Sequence, residues 1–523
     1  MPPGQGWRSR SSGLAAGAMA LAVAGMVAKA LSALARVLFA RWLGAEAIGL
    51  YEMAMPVLAL GISVCGLGIP VAAAALLAAA VGRGDRDRVA ALLRTSRLLL
   101  VGAGVAGGAA VVVFAPDLAR LLGNPASAGP LRAVGPAILL ASVLAGEKSW
   151  LQASGRTTSS AAVLTAEQGV RVAAAIVGAF AFLGRAALMP ALAAMTLAWS
   201  PAAGTAGGLL AAVLAGRRPW TLPTGTAERG RPDPRSPGGA LLAVGGPNWL
   251  SGMLASGASA VDAALVTWKL RLTGMGAASA TAALGELNGM AMPLAAAPAV
   301  LFGALGSALV PVVAADWARG DQGAVRRRGE AAYFWVVVSG LPCAVLLWQL
   351  AGPISGLLYR NTAAAAPLGF LAFAGLPLGL SYVAAALANA VGRPAILLPG
   401  VVSGAIVRSA LILALTGSAF GIRGAAAGVL AGFTVSATLN VRAVGGLLGC
   451  WPAWTRWAGV TAPALAAQVA AASACWGALG GWVPGIRILL TVLCAAMAYG
   501  CVLALGWAAF GERLGLPGIP LRR

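Results

Sequence analysis

The stretch IGLYEMAMPVLALGISVCGLGIPVAAAALLAAA, residues 48–80, is apolar over its whole length and carries a single charged residue, Glu52. A helix of about 20 apolar residues is enough to cross the hydrocarbon core of a bilayer. Fourteen such runs follow one another from about residue 14 to residue 510. They do not alternate polar and apolar residues as the strands of a membrane barrel do. The sequence therefore predicts an all-α integral membrane protein with about fourteen transmembrane helices.

The composition excludes several other classes of protein. Only 10% of the 523 residues are charged, against about 25% in soluble domains. The net charge of +22 comes almost entirely from arginines scattered in short loops, whereas a nucleic-acid-binding protein gathers its cations on one surface. The chain has no histidine, no Cys-x-x-Cys pair and no phosphate-binding loop motif. We therefore predict no nucleic-acid partner, no metal site, no cofactor and no enzymatic activity.

The distribution of lysine and arginine predicts the orientation. With the N-terminus in the cytoplasm, 24 of these cations fall in inside segments and nine in outside loops. This bias follows the positive-inside rule. It predicts a multi-pass protein of the cytoplasmic membrane with both termini in the cytoplasm, which requires an even number of spans.

The chain also contains an internal duplication. Met53–Pro56 recurs as Met290–Pro293, 237 positions later. Four further matches keep almost the same offset: Arg83–Asp85 with Arg319–Asp321, Pro116, Leu121 and Asn124 with Pro353, Leu358 and Asn361, Gly155–Arg156 with Gly392–Arg393, and Val170–Arg171 with Val407–Arg408. Five matches in register predict two copies of one helical unit.

These boundaries divide the chain into four parts. Residues 216–239 contain five prolines and five arginines and predict a cytoplasmic linker. We predict an N-terminal six-helix lobe over 1–215, a C-terminal six-helix lobe over 240–447, and two additional helices with a cytoplasmic tail over 448–523. Because each repeat has an even number of spans, the lobes are expected to be related by a pseudo-two-fold axis along the membrane normal.

Four cations fall within apolar runs: Lys29, Arg36, Arg171 and Arg408. A charge at the centre of the bilayer costs about 2.5–3.5 kcal/mol on insertion scales, so each requires a reason. Together they predict a cationic cavity for an anionic headgroup such as a diphosphate. Structural roles also fit the sequence, because Arg171 follows Glu167 by four residues and Arg36 is near enough to the outer interface to reach it.

Two acidic residues and two prolines complete the set of candidates. Glu52 and Asp262 are either ion-coupling carboxylates or charge partners of the cations. Pro56 and Pro293 lie at matched positions inside long helices, where proline removes a backbone hydrogen bond and predicts a kink.

Residues 29–78 resemble the opening of the stage V sporulation protein B-like branch of the multidrug/oligosaccharidyl-lipid/polysaccharide (MOP) exporter superfamily. The G-A-E-x-x-G-L-Y turn at Gly44–Tyr51 and the G-x-G-I-P motif at Gly66–Pro70 carry most of the likeness. Shorter likenesses occur at Gln152–Arg156, at 167–172 and at 421–425.

This resemblance implies two six-helix lobes around a central cavity, with two extra helices that in related lipid II flippases shape a groove for the lipid tail. The cationic first-helix positions of the family correspond to Lys29 and Arg36. Residues Gln152–Gly155 depart from the usual aromatic-Gln-Gly pattern, which leaves the role of that loop open.

The residues and the resemblance together predict a flippase that moves a lipid-linked oligosaccharide or peptidoglycan precursor by alternating access. An Na⁺- or H⁺-coupled antiporter of drugs or organic cations is the first alternative, and a non-transporting membrane scaffold is the second. A monomer surrounded by membrane lipids is expected. The sequence leaves open the saccharide, the energy source and a role in sporulation.

Overall fold

The computed structural model describes residues 5–216, 236–417 and 419–510, and these residues form helices joined by short turns, with no strand among them. In chain order the α-helices are α1 (Gln5–Gly66), α2 (Ile69–Gly82), α3 (Arg86–Val113), α4 (Ala115–Leu121), α5 (Ala128–Ala153), α6 (Thr157–Ala181), α7 (Pro190–Ala198), α8 (Ser200–Gly216), α9 (Pro237–Leu272), α10 (Ala277–Leu284), α11 (Met292–Ala318), α12 (Gln322–Gln349), α13 (Ala351–Tyr359), α14 (Ala365–Leu371), α15 (Gly375–Ala390), α16 (Leu398–Leu415), α17 (Ile422–Leu448), α18 (Trp454–Ala478) and α19 (Pro484–Phe510). A π-helical turn, Gly285–Ala291, joins α10 to α11.

Within the described residues, twelve helical segments are long and apolar enough to cross a membrane. This confirms an all-α integral membrane protein. The predicted number of fourteen spans stays a prediction. One of the twelve segments, Leu34–Gly82, includes the end of the first predicted span, at about 14–39, and the whole of the second, at about 48–80.

Two glycine motifs interrupt the first predicted spans. Gly44 has φ 79° and ψ 174°, which breaks the helical path within α1. Leu67 and Gly68 both adopt positive φ, and Pro70 then stands in the first turn of α2. A Cβ atom at Gly68 would lie 1.9 Å from the carbonyl oxygen of Gly245, so only glycine fits. The motifs that resemble the exporter family are therefore the places where the backbone turns.

The contacts divide the chain into two compact units. Unit 1 comprises residues 1–271 and 276–285, and unit 2 comprises 272–275 and 286–523. The seventh predicted span, α9, thus belongs to unit 1, whereas the sequence placed it at the start of the C-terminal lobe. Contacts such as that between Gly245 and Gly68 attach it there. The assignment of six-helix lobes stays a prediction.

Matched positions of the predicted duplication have the same local structure in the two units. The Asp85 carboxylate accepts a hydrogen bond from the backbone N–H of Arg88 at the start of α3, at 2.9 Å. Asp321 does the same for Ala324 at the start of α12, at 2.8 Å. These are equivalent N-terminal caps. The duplication and its pseudo-two-fold axis stay predictions.

Replacing either cap by alanine is expected to lower the free energy of unfolding by about 1 kcal/mol. The reason is that one backbone N–H of the first helical turn loses its acceptor. Asp85→Asn and Asp321→Asn are the matched controls, because asparagine keeps a side-chain oxygen. Denaturant titration of the purified chain in mild detergent measures the difference, and equal destabilisation by Ala and Asn would contradict the capping role.

The core of unit 2 is built around aromatic residues of α12. Tyr333 and Phe334 are almost completely buried, and the Phe334 ring packs edge-on against Trp457 with centroids 5.5 Å apart. Cys450, in the turn between α17 and α18, belongs to the same cluster and has no exposed surface. Burial raises the pKa of this thiol from 9.0 to about 11.

Cys450 therefore makes the stability of the chain sensitive to alkaline pH. Between pH 9 and 11 the thiol ionises in the unfolded chain but stays protonated in the folded one, so the free energy of unfolding falls as the pH rises through this window. The drop attributable to Cys450 is at most about 3 kcal/mol. Unfolding measured at pH 8 and pH 10.5 checks this result against Cys450→Ala, which is expected to lose less stability. An equal loss in the two proteins would contradict it.

Candidate functional site

Two arginines and one glutamate lie together within the membrane-spanning helices of unit 1. Glu52 of α1 is buried, and its carboxylate forms an ion pair with the Arg36 guanidinium at 3.3 Å. Arg171 of α6 acts on the same carboxylate electrostatically. The structure thus brings together two of the four predicted cations around one predicted acid. We call Arg36, Glu52 and Arg171 the arginine cluster; it carries one excess positive charge.

A second polar contact links the same part of unit 1. The Lys148 ammonium of α5 pairs with the Glu167 carboxylate of α6. The Ser32 hydroxyl donates to Gln168, the residue that follows Glu167, at 3.5 Å. The sequence pattern pointed to Arg171, four residues along, as the partner of Glu167 and gave no signal for a partner on another helix.

A glycine of a neighbouring helix fixes the position of Arg171. A Cβ atom at Gly204 of α8 would lie 2.5 Å from the Arg171 Cβ atom and 2.7 Å from the Glu167 carbonyl oxygen. Gly204 and Gly208 form a G-x-x-x-G pair, the spacing that lets two helices approach closely in a membrane. The stem of the arginine is thus held between two backbones.

Unit 2 repeats this arrangement at Arg408. A Cβ atom at Gly432 of α17 would lie 2.4 Å from the Arg408 Cβ atom and 2.7 Å from the Gly404 carbonyl oxygen. Gly428 and Gly432 again have the G-x-x-x-G spacing. The Arg408 guanidinium lies 5.9 Å from the centre of the Phe433 ring, which allows a cation–π interaction.

The polar surroundings of the two arginines differ. Position 289, which the offset of 237 matches to Glu52, is glycine, and position 404, which it matches to Glu167, is also glycine. The carboxylates beside Arg171 thus have no acidic counterparts at the matched positions of unit 2. The side chain of Lys29, the remaining predicted cation, lies outside the described residues.

The two ion-coupling candidates are both engaged. Glu52 is the partner of Arg36. Asp262 of α9 is 9% exposed and also takes part in a polar or electrostatic interaction. Ion coupling by either carboxylate stays a prediction.

The prolines mark different local structures in the two units. Pro56 lies inside α1, whose non-helical residue is Gly44, twelve positions earlier. Pro293 is the second residue of α11, which begins directly after the π-helical turn, and such turns are a recognised cause of helix kinks. The Glu286 carboxylate in this turn accepts a hydrogen bond from the Asn361 amide at 3.1 Å. Kinks at the prolines themselves stay a prediction.

The comparisons with known proteins agree with this architecture. The profile of the family described as "Polysaccharide biosynthesis protein" matches residues 14–315, more than half of the chain. Stage V sporulation protein B of Bacillus subtilis (strain 168) is 27% identical over 451 residues, which are 83% of each protein.

Solved structures share the fold. The lipid II flippase MurJ in an inward closed conformation superposes with a TM-score of 0.70 at 12% identity, covering 94% of this chain and 99% of that one. An inward-facing multidrug resistance MATE family transporter of the MOP superfamily gives 0.63 at 15% identity, covering 80% and 94%. The chain therefore belongs to the family described as "Polysaccharide biosynthesis protein".

Proposed function

We propose that this protein is a flippase that carries a lipid-linked oligosaccharide or peptidoglycan precursor across the cytoplasmic membrane by alternating access. The diphosphate and saccharide pass through a cavity, while the polyprenyl tail stays in the bilayer. Both termini are in the cytoplasm, and the cargo moves from the inner to the outer leaflet. The protein acts as a monomer.

The arginine cluster is the observation that carries this proposal. In it, the Arg36 guanidinium pairs with the Glu52 carboxylate, and Arg171 acts on the same carboxylate electrostatically. Guanidinium is the side-chain group best suited to phosphate oxygens, because it donates two parallel hydrogen bonds. Arg408 adds a further guanidinium in unit 2, held by the same glycine packing as Arg171. The family membership supplies the transport of lipid-linked saccharides as the context.

Binding to the purified chain in detergent tests the choice of cargo. The probes are undecaprenyl diphosphate, undecaprenol, and an organic cation such as tetraphenylphosphonium, each titrated separately. We expect undecaprenyl diphosphate to bind at least about tenfold more tightly than undecaprenol, since a charge-assisted hydrogen bond is worth about 1.5–3 kcal/mol. Equal binding of undecaprenyl diphosphate and undecaprenol would contradict recognition of the diphosphate.

An antiporter of organic cations is the second candidate, and the buried Asp262 is the observation in its favour. A carboxylate within a membrane span is a natural partner for a transported cation or proton. This function predicts drug efflux that disappears in Asp262→Asn. Efflux measured in cells that express the wild-type chain and this variant distinguishes the candidates, because the flippase proposal expects no efflux from either.

A further inference from the structure

Unit 2 contains an apolar groove that the proposed function does not use. It has a volume of about 610 Å³ and lies between α15, with the turn before it, and α17. Phe373 and Leu376 line one wall, while Leu430, Thr434 and Val441 line the other. We call these residues and those between them the α15–α17 groove.

The two threonine hydroxyls that line the groove both have hydrogen-bond partners. The Thr434 hydroxyl donates to the Leu430 carbonyl oxygen, and the Thr438 hydroxyl donates to that of Thr434, each at 2.8 Å. Both residues are nevertheless exposed. The groove therefore offers apolar surface of a kind that suits a hydrocarbon chain better than a sugar.

One end of the groove carries a cation and two tryptophans. Arg442 of α17 is exposed, and Trp451 and Trp454 are each about half exposed. The Trp451 ring packs against α17 at Gly445. A Cβ atom at Gly445 would lie only 2.8 Å from atoms of this ring. Half-exposed tryptophans beside arginine are typical of the headgroup level of a membrane. This end of the groove therefore lies where phosphates are found.

The opposite end of the groove also carries an arginine and a tryptophan. A second cavity of about 610 Å³ shares Phe373 and Leu430 with the groove and ends at Arg423, beside the half-exposed Trp348. Arg442 follows Arg423 by nineteen positions along α17. At 1.5 Å per residue they stand about 28 Å apart, close to the roughly 30 Å of the hydrocarbon core. The groove and the second cavity together therefore extend over about the thickness of the hydrocarbon core, and each has about the depth of one leaflet.

We propose that the α15–α17 groove binds an anionic membrane phospholipid, with an acyl chain along α17 and the phosphate on Arg442. No acidic residue occurs among the described lining residues of either cavity, so the rim favours an anionic headgroup. A depth of one leaflet matches a phospholipid chain, whereas a polyprenyl tail is several times longer. This inference does not depend on the flippase proposal.

Native mass spectrometry of the full chain with phosphatidylglycerol or phosphatidylcholine tests the headgroup contact. We expect Arg442→Gln to retain about fivefold less phosphatidylglycerol than the wild type, the effect of one cationic side chain at an anionic surface. Its phosphatidylcholine binding is expected to stay unchanged. Arg456→Gln is the matched control, because Arg456 is exposed nearby but does not line the groove. Equal losses in the two variants, or no loss in either, would overturn the proposal.

A tryptophan placed in the groove tests where the chain lies. Thr434→Trp is expected to reduce the binding of both phospholipids, while Leu413→Trp, on the exposed surface of α16, is expected to leave both unchanged. Unreduced binding to Thr434→Trp would place the lipid elsewhere. Competition with undecaprenyl phosphate adds a third arm. If undecaprenyl phosphate displaces phosphatidylglycerol at equal concentration, and Arg442→Gln abolishes this displacement, the groove holds a polyprenyl tail and the proposal is wrong.

Discussion

Arg171→Glu is expected to abolish transport while the protein still reaches the membrane. The substitution changes the arginine cluster from one excess positive charge to one excess negative charge, so a diphosphate would be repelled by the groups that are proposed to bind it. We expect movement of a fluorescent undecaprenyl diphosphate saccharide to fall below detection in proteoliposomes. Accessibility of the label to an external quencher measures this movement.

Charge-matched variants separate a role in binding from a role in folding. Arg171→Lys keeps the charge and is expected to retain partial transport, and Arg185→Glu changes an exposed loop arginine and is expected to have no effect. Arg171→Gln together with Glu52→Gln restores one excess positive charge through Arg36. This double variant is expected to bind undecaprenyl diphosphate more tightly than Arg171→Glu does, and so to recover part of the affinity that Arg171→Glu loses. Wild-type transport by Arg171→Glu would refute the role of the cluster.

Gly68→Val is expected to prevent stable folding. Gly68 has φ 67°, a conformation that costs an L residue about 1–2 kcal/mol and is especially unfavourable for a β-branched side chain. The added Cβ atom would also lie 1.9 Å from the Gly245 carbonyl oxygen. Since the obstacle is backbone, α2 and α9 would have to separate. The combined cost exceeds about 3 kcal/mol, a large part of the stability of an ordinary domain.

Gly84→Val is the matched control for Gly68→Val. Gly84 has nearly the same φ, 70°, but an added Cβ atom there meets nothing within 4 Å. It therefore reports the conformational cost without the collision. Size-exclusion profiles after heating in detergent, with expression level, compare the two variants. If both lose the same amount of folded protein, the close approach to Gly245 contributes nothing.

The sequence was sufficient for the fold class because the bilayer imposes it. Every backbone polar group within the hydrocarbon must be satisfied, so long apolar runs without alternation leave only helices. The positions at which these helices break were less predictable. The break within α1 lies at Gly44, where the sequence already indicated a turn, rather than at Pro56, where proline predicted a kink; the π-helical turn at Gly285–Ala291 was not predicted.

The candidate site was predicted residue by residue but not contact by contact. Arg36, Glu52 and Arg171 were identified because charge is rare within spans, yet their grouping around one carboxylate depends on the packing of α6 against α1. The Lys148–Glu167 pair was missed because it joins two helices, and no spacing in the sequence shows which helices pack together. The glycines opposite Arg171 and Arg408 carried a signal in their G-x-x-x-G spacing. The chain has 72 glycines, so that signal was easily overlooked.

The glycine packing at these arginines has a consequence for how related sequences diverge. Because Gly204 leaves no room for a Cβ atom beside Arg171, any larger residue there forces the two helices apart. Homologues that keep this packing are therefore expected to retain glycine at position 204 even where position 171 has changed, since the obstacles are a Cβ atom and a backbone oxygen rather than the guanidinium. The same is expected of position 432 opposite 408, so an alignment should show both glycines retained whatever the side chain opposite.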